Sequence, residues 1–370
     1  MTDNLKFPEL ELRQLESEFT FKSDDVYYYN THRPASLVQK LQMRNKEFDA
    51  NMVPIVFEKA LNEKLESYTP SHFAGTGHVI YFVKTKSGKE LVLRATHGLN
   101  EPENYMDMER DVIQMYKKAG IPSVEILCAD TTRRTFEFDY QIMKPLIGKD
   151  PEIEWNGTQD DYDELSFDLG RMCAKQYQIP GIGWGRWRCN TEGMIVGTRS
   201  SQNEYLNSYL DHDLRVIALF GTLDNEATQK IKEYFVSSEI KSLFADLKQS
   251  YFIHHDLADH NIRYEGRKVL AFFDWECSVI HDPISDLASA PTWKVQYPRE
   301  QKMTEGFLAE LGYKPDNFEA KVGVYLLRTM LWKVAFALKG KRLAEKHVNF
   351  LSDAFTRCGL DVKVNREWLV

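Results

Sequence analysis

From Ser71 onward the apolar positions fall into short runs separated by glycine and charge. His78–Val83 and Glu90–Arg94 flank Lys86-Ser87-Gly88-Lys89 and read as a hairpin. Glu103 to Ala119 places Met108, Val112, Met115 and Tyr116 at helical spacing and stops at Gly120, with Pro122 just beyond. Val124–Leu127 is a short strand. Thr135 to Ile142 alternates, with Phe136, Phe138, Tyr140 and Ile142 on one face. Lys144-Pro145-Leu146-Ile147-Gly148 breaks the pattern. Beyond it, Asp161 to Gln178 carries the stripe Tyr162, Leu165, Leu169, Met172, Cys173. Asp224 to Gln249 opens on a good N-cap residue and carries Ile231, Phe235, Ile240 and Phe244. Short strands return between 251 and 274, and helices run to the end.

Residues 1–66 are charged, with helical spacing at Leu10, Leu12, Leu15 and again at Phe57, Ala60, Leu61, Leu65. They read as a helical lead-in without assigned chemistry. The pattern predicts an α+β, bilobal chain. A helical extension (1–70) packs on an N-lobe (71–145) built from an antiparallel sheet and a helix. A larger, mainly helical C-lobe (146–370) follows.

Composition narrows the class. Apolar residues make up 43% of the 370 and aromatics 12%, enough for a large core and against disorder. There are 47 basic and 55 acidic side chains, net −8, which disfavours a general electrostatic grip on nucleic acid or an anionic membrane. The longest apolar stretch, Val322–Leu338, carries Arg328 and Lys333 and reads as a packed helix, not a membrane span. Met1-Thr2-Asp3-Asn4 has no basic or apolar leader pattern, so no signal peptide is expected. Five widely spaced cysteines without a CxxC predict free thiols in a reducing, cytoplasmic setting, and speak against zinc or disulfides.

The dense polar signal is Ile253-His254-His255-Asp256-Leu257-Ala258-Asp259-His260-Asn261, followed by Ala271-Phe272-Phe273-Asp274-Trp275-Glu276. The spacing is His-x-Asp-x4-Asn, then an apolar strand ending in Asp. Phosphoryl transfer to an alcohol asks a protein mainly for positioning and charge neutralisation. One carboxylate, Asp256, suits the hydroxyl proton. Asn261 and Asp274 supply the hard oxygen donors that magnesium takes alongside phosphates. Taken singly, each is an ordinary loop residue; together they form a constellation.

These residues resemble the aminoglycoside phosphotransferase and choline kinase family, small-molecule kinases with a protein-kinase-like fold. His254 through Asn261 is similar to its catalytic loop, with His254 bracing the loop. Phe273-Asp274-Trp275-Glu276 is similar to its metal-binding segment. His281-Asp282-Pro283-Ile284-Ser285-Asp286-Leu287-Ala288 is similar to its GDPxxDLA, with His281 in place of glycine. The resemblance spans about residues 71–355 and leans toward the branch holding hygromycin B kinase. It implies that Gly75, Thr76 and Gly77 cover the nucleotide, although a plain hairpin loop reads equally well. It implies that Arg94 positions the phosphates with Glu109, the alternative being a solvated surface pair. Met143 falls in the hinge segment Gln141–Lys144, where adenine would meet backbone. Asp286 is expected to cap a helix or brace the catalytic loop.

The expected activity is therefore an ATP- or GTP-dependent, Mg²⁺-dependent phosphotransferase acting on a small hydroxylated acceptor, first an aminoglycoside or aminocyclitol-type antibiotic. An aminocyclitol would need carboxylates and an aromatic wall, for which Asp259, Glu276, Asp282 and Trp293 lie close in sequence. The cluster Trp184, Arg186, Trp187, Arg188 is either pocket lining or core. A metabolic kinase of a sugar, choline-like amine or amino alcohol is the alternative. A nucleotide-binding pseudokinase is the alternative of another class.

Overall fold

The computed structural model describes residues 7–22, 25–28, 39, 43, 46–71, 78–96 and 106–370. The hairpin forms as β2 (Val79–Thr85) and β3 (Glu90–Thr96), closed by Gly88 at φ +83°. They join β1 (Leu65–Pro70), β4 (Ile126–Asp130) and β5 (Asp139–Met143) in an antiparallel sheet of order β1-β2-β3-β5-β4. Strand alternation sends Leu91, Leu93 and Ala95 into a core with Val53, Val56 and Phe57 of the helix Met52–Leu61. Arg94 points from the opposite face.

Thr135–Ile142 is strand only at its end. Arg133 takes a left-handed φ of +51° and closes on Asp139 at 2.8 Å, so the chain turns before β5 begins. Phe136 and Phe138 still reach the core from that turn.

The expected extension over 1–70 divides between the lobes. Helix α1 (Glu9–Ser17) packs on the C-lobe, not the N-lobe, because its buried Leu12 and Leu15 find helical partners there. Phe7 meets Phe220 edge-on at 5.2 Å, and Glu18 pairs with Arg215 at 2.7 Å. Tyr27 stacks on Tyr205, centroids 4.9 Å apart. By contrast α2 (Met52–Leu61) and β1 belong to the N-lobe, since residues 65–70 satisfy their backbone groups on β2. The helix α3 (Met106–Lys118) completes that lobe.

The C-lobe is helical with two sheets the sequence pattern only hinted at. Its first long helix, α4 (Gln159–Lys175), follows a short turn of helix at Pro151–Glu154 and starts in a Thr158/Asp161 capping box. α5 (Leu210–Leu219) and α6 (Asn225–Val236) follow. The single helix expected over 224–249 breaks because Ser237 leaves helical backbone and caps a second short helix, Ser238–Leu243. Then come α7 (Ile284–Ser289), α8 (Glu300–Leu311), α9 (Phe318–Lys339) and α10 (Glu345–Arg357). A second antiparallel sheet uses β6 (Pro180–Gly181), β7 (Trp184–Cys189), β8 (Ile195–Arg199), β9 (Ser250–Ile253) and β12 (Val279–His281), ordered β6-β9-β12-β7-β8. A separate hairpin pairs β10 (Ile262–Glu265) with β11 (Lys268–Phe272). The Trp184–Arg188 cluster is β7. Trp187 is fully buried and donates to Ser278 Oγ at 2.9 Å, so it packs the sheet and lines no pocket.

Helix α9 is buried along most of its length, as a packed helix should be, and its buried Arg328 pairs with Asp213 at 3.0 Å. Among the described residues no helix is long and apolar enough to cross a membrane.

Two glycines set the closest helix crossing. A Cβ on Gly170 of α4 would lie 1.9 Å from the Met303 carbonyl oxygen, and one on Gly306 of α8 1.9 Å from that of Phe167. Both obstacles are backbone, so neither can swing aside. Gly306→Ala is therefore expected to cost at least about 2 kcal/mol despite the better helix propensity of alanine. Urea unfolding measures it; unchanged stability would contradict the close crossing.

Candidate active site

The catalytic-loop motif follows β9. His255 takes a left-handed φ of +64°, and Asp274, after β11, takes +62°. Such backbone persists only where its surroundings fix it. Asp286 of α7 supplies that fixing: its carboxylate accepts from the backbone N–H of His254 (3.2 Å) and His255 (2.9 Å) and from Gln176 Nε2 (2.9 Å). Burial pushes the Asp286 carboxyl up to about 7 in spite of these donors. His254 Nε2 donates to the Phe273 carbonyl at 2.9 Å, while its Nδ1 accepts the Asp256 N–H at 3.3 Å. Asn261 Nδ2 donates to the Asp256 carbonyl at 2.9 Å, and Phe273 N–H donates to the Asn261 carbonyl at 3.1 Å. Asp256, Asn261 and Asp274 are thus held on two loops laced together by backbone.

Asp256 is partly buried. Tyr28 hydrogen-bonds its carboxylate, and burial raises its pKa. Its Oδ1 is buried and accepts no hydrogen bond among the described residues.

On the N-lobe side, Arg94 is only 8% exposed, which excludes the solvated-pair reading. Its guanidinium reaches Glu109 at 3.0 Å and Asp274 at 3.1 Å. Gln141 sits opposite Arg94 in the β3–β5 register and donates to Glu109 Oε2 at 2.7 Å. Glu109 Oε1 also accepts the Trp275 N–H at 3.1 Å. One helix carboxylate therefore joins the sheet to the segment after Asp274. Burial raises the Asp274 carboxyl to about 8, with Glu276 adding to the rise and Arg94 opposing it.

Several expected site residues sit elsewhere. Asp259 is fully buried, ion-paired with Arg299 and hydrogen-bonded by Tyr162 at 3.0 Å, so it cannot face an acceptor. Asp282 is fully buried and accepts from Tyr177 (3.0 Å), Tyr325 (2.9 Å) and the Ile284 N–H (3.1 Å); it starts α7. Glu276 turns toward His78 (2.9 Å) and Arg94 (3.5 Å), on the N-lobe side. Trp293 is half-buried, its ring 5.8 Å from that of Tyr28, which hydrogen-bonds Asp256. Met143 ends β5, where the two lobes join. Gly75, Thr76 and Gly77 lie outside the described residues.

The sequence reading gave no role to His78, Gln141, Tyr28 or Lys333. Gln141 was legible, because alternation places it on the Arg94 face. The others are joined to the site by tertiary packing alone.

The donor set suits magnesium. Asn261 commits its N–H to Asp256 and keeps its amide oxygen as an acceptor, and the Asp274 side chain is 37% exposed beside further carboxylate. Among the described residues no three His, Cys, Asp or Glu form a complete cage. An ion that draws its other ligands from phosphates and water needs none.

The model of the phosphotransferase enzyme family matches residues 74–319, more than half of the chain. The chain belongs to that family. It is thereby a small-molecule phosphotransferase. No curated protein matches the sequence. Solved structures share the fold at low identity. One is a protein assigned as a fructosamine-3-kinase from Thermobifida fusca YX-ER1, with TM-score 0.59, 14% identity, and coverage of 84% of this chain and 99% of that one. A thermostable mutant of aminoglycoside phosphotransferase APH(4)-Ia, in complex with AMP-PNP and hygromycin B, has TM-score 0.55, 14% identity and coverage of 84% and 97%. ADP-bound aminoglycoside phosphotransferase APH(2'')-Ib has TM-score 0.54, 12% identity and coverage of 84% and 98%.

His254 also generates a pH prediction for this phosphotransferase. Burial pushes its imidazole down to about 4, so the folded protein holds it neutral. The unfolded chain binds that proton near 6.5. Between pH 6.5 and 4 the unfolded state therefore carries the extra proton, and stability falls as pH falls. His254→Gln should flatten this dependence by up to about 1.4 kcal/mol per pH unit. Urea unfolding between pH 4 and 6.5 checks it; an unchanged slope would mean that His254 is not held neutral.

Proposed function

We propose that the protein transfers the terminal phosphoryl group of ATP or GTP to a hydroxyl of a small molecule, with Mg²⁺, in the cytoplasm. The observation that carries this reading is the free Oδ1 of Asp256, aimed from a braced loop, with Asn261, Asp274 and Arg94 gathered beside it. Asp256 orients the acceptor hydroxyl and takes its proton. Asn261 and Asp274 hold the metal through their side-chain oxygens. Bound there, the ion neutralises phosphate charge. Arg94, itself placed by Glu109 and Gln141, pairs with the nucleotide phosphates. The backbone around Met143 meets the base, and the Gly75–Gly77 loop covers the phosphates. The intact polar set favours this over a pseudokinase.

An aminoglycoside acceptor is supported by the APH(4)-Ia complex with hygromycin B among the fold's relatives. A metabolic acceptor is favoured by a specific observation: Asp259, Asp282 and Glu276, the carboxylates a polyamine would use, are engaged elsewhere. ADP or GDP release with a panel of aminoglycosides, amino sugars, sugars and amino alcohols decides between the two.

Asp256→Asn is nearly isosteric but a poor proton acceptor. Turnover should fall roughly 10²–10⁴-fold while nucleotide affinity survives. Full phosphoryl transfer by this variant would remove Asp256 as the base. Asp274→Asn should lower turnover by orders of magnitude at any magnesium concentration. Near-normal rates at saturating magnesium would exclude Asp274 from the metal site.

A further inference from the structure

The N-terminal segment reaches the catalytic carboxylate. Residues 25–28 are anchored by Arg199 on Asp25 at 2.8 Å and by the Tyr27–Tyr205 stack. They deliver Tyr28 to the Asp256 carboxylate. The Tyr28 ring stacks on Trp332 with centroids 4.4 Å apart and planes 11° apart, and it lies 5.4 Å from His255. Trp293 and Lys333 continue the same wall. Lys333 Nζ lies 3.3 Å from the Trp293 ring centroid and donates to Thr292 Oγ1 at 2.6 Å.

Lys333 is the unusual member. It is 5% exposed, and among the described residues no carboxylate lies within ion-pair distance of it. Burial holds its pKa well below the ordinary lysine value, with Asp256 the charge that opposes the fall. A buried ammonium is costly unless an anion meets it, and an indole face compensates only part of that cost. The wall beside Asp256 is therefore aromatic and holds a lysine whose charge an incoming anion would stabilise, where a polyamine pocket would be acidic.

We propose that Tyr28, Trp293 and Lys333 form the acceptor subsite, and that it selects a hydroxylated acceptor carrying an anionic group, a sugar or polyol with a carboxylate or phosphate. This rests on the phosphotransferase reading above and narrows its acceptor. The half-buried Trp293 ring takes the apolar face of the sugar, and the buried Tyr28 ring, stacked on Trp332, backs that wall. Lys333 takes the anion. The N-terminal segment is then part of the active site.

Calorimetric titration of the full chain with Mg²⁺ and a non-hydrolysable ATP analogue tests it. The probes are D-gluconate, D-glucose 6-phosphate, uncharged D-glucose and hygromycin B. At least one of the two anions should bind tenfold or more tighter than glucose, and the preferred anion tells carboxylate from phosphate. Lys333→Met should erase that preference without changing nucleotide affinity, and Lys333→Arg should restore part of it. Tyr28→Leu should weaken glucose and anions alike while nucleotide binding holds, a second readout should Lys333→Met fold poorly. In turnover, the Lys333→Met loss should fall on the KM of the anionic acceptor. Tighter binding of hygromycin B, no binding of either anion, or a preference that survives Lys333→Met overturns the proposal. So does an equal fall in kcat for charged and neutral acceptors, which would make Lys333 a counter-ion of Asp256. Failure of the nucleotide analogue to bind would instead overturn the phosphotransferase reading.

Discussion

The site depends on one buried carboxylate. Glu109 of α3 receives Arg94 from β3, Gln141 from β5 and the Trp275 N–H from the segment after Asp274. Those groups come from both lobes, so the same contact that orients Arg94 also fixes the cleft between sheet and catalytic loops. Buried charges of this kind persist only when nearly every lone pair is met. Here the donors are an ion-paired guanidinium, an amide and a backbone N–H. Removing any of them would leave the Glu109 charge in a poorly compensated interior, so sheet, helix and loop are tied to one geometry.

The C-lobe solves the corresponding problem with Asp286. Two successive backbone N–H groups, from His254 and the left-handed His255, converge on its carboxylate. The turn that projects Asp256 is thereby held from behind by α7. His254 then bridges to the Phe273 carbonyl, so the position of Asp256 and that of Asp274 are not independent. The network places the reacting groups through backbone atoms, which are stiffer supports than side chains.

Much of this was legible along the chain. The β2–β3 hairpin, α3 and α4 followed from periodicity, and the spacing marked Asp256, Asn261 and Asp274 as one constellation, which the fold carries on two loops laced together. What failed has physical causes. Asp259 and Asp282 are polar residues near the motifs, but proximity in sequence does not say which way a carboxylate turns. Both turn inward to Arg299 and to the Tyr177 and Tyr325 hydroxyls. Strand β7 was hidden because Trp184-Gly185-Arg186-Trp187 lacks alternation; Arg186 and Trp187 are both buried, Arg186 Nη1 donating to the Ser278 carbonyl and Trp187 Nε1 to Ser278 Oγ. Tyr28 and Lys333 are 305 positions apart in the numbering and meet the site through tertiary packing, which no local pattern encodes.

The electrostatics of the cleft change sign across Asp256. Toward the N-lobe, Asp274, Glu276 and Glu109 crowd around Arg94, and burial, with repulsion from Glu276 and Glu109, pushes the Asp274 carboxyl up to about 8. That side carries more negative charge than one guanidinium offsets, which suits a hard cation and the phosphates it brings. On the opposite side the predicted carboxylates are absent from the wall, and Tyr28, Trp293 and Lys333 stand there instead. Asp256 lies between the two fields. Burial is the largest influence on the Asp256 carboxyl and raises its proton affinity; the Tyr28 hydroxyl, His260 and Lys333 oppose the rise, and Glu276 adds a lesser one. The proton affinity of Asp256 is therefore set first by its burial, and then by groups that reach it from the N-terminal segment, from its own loop and from α9.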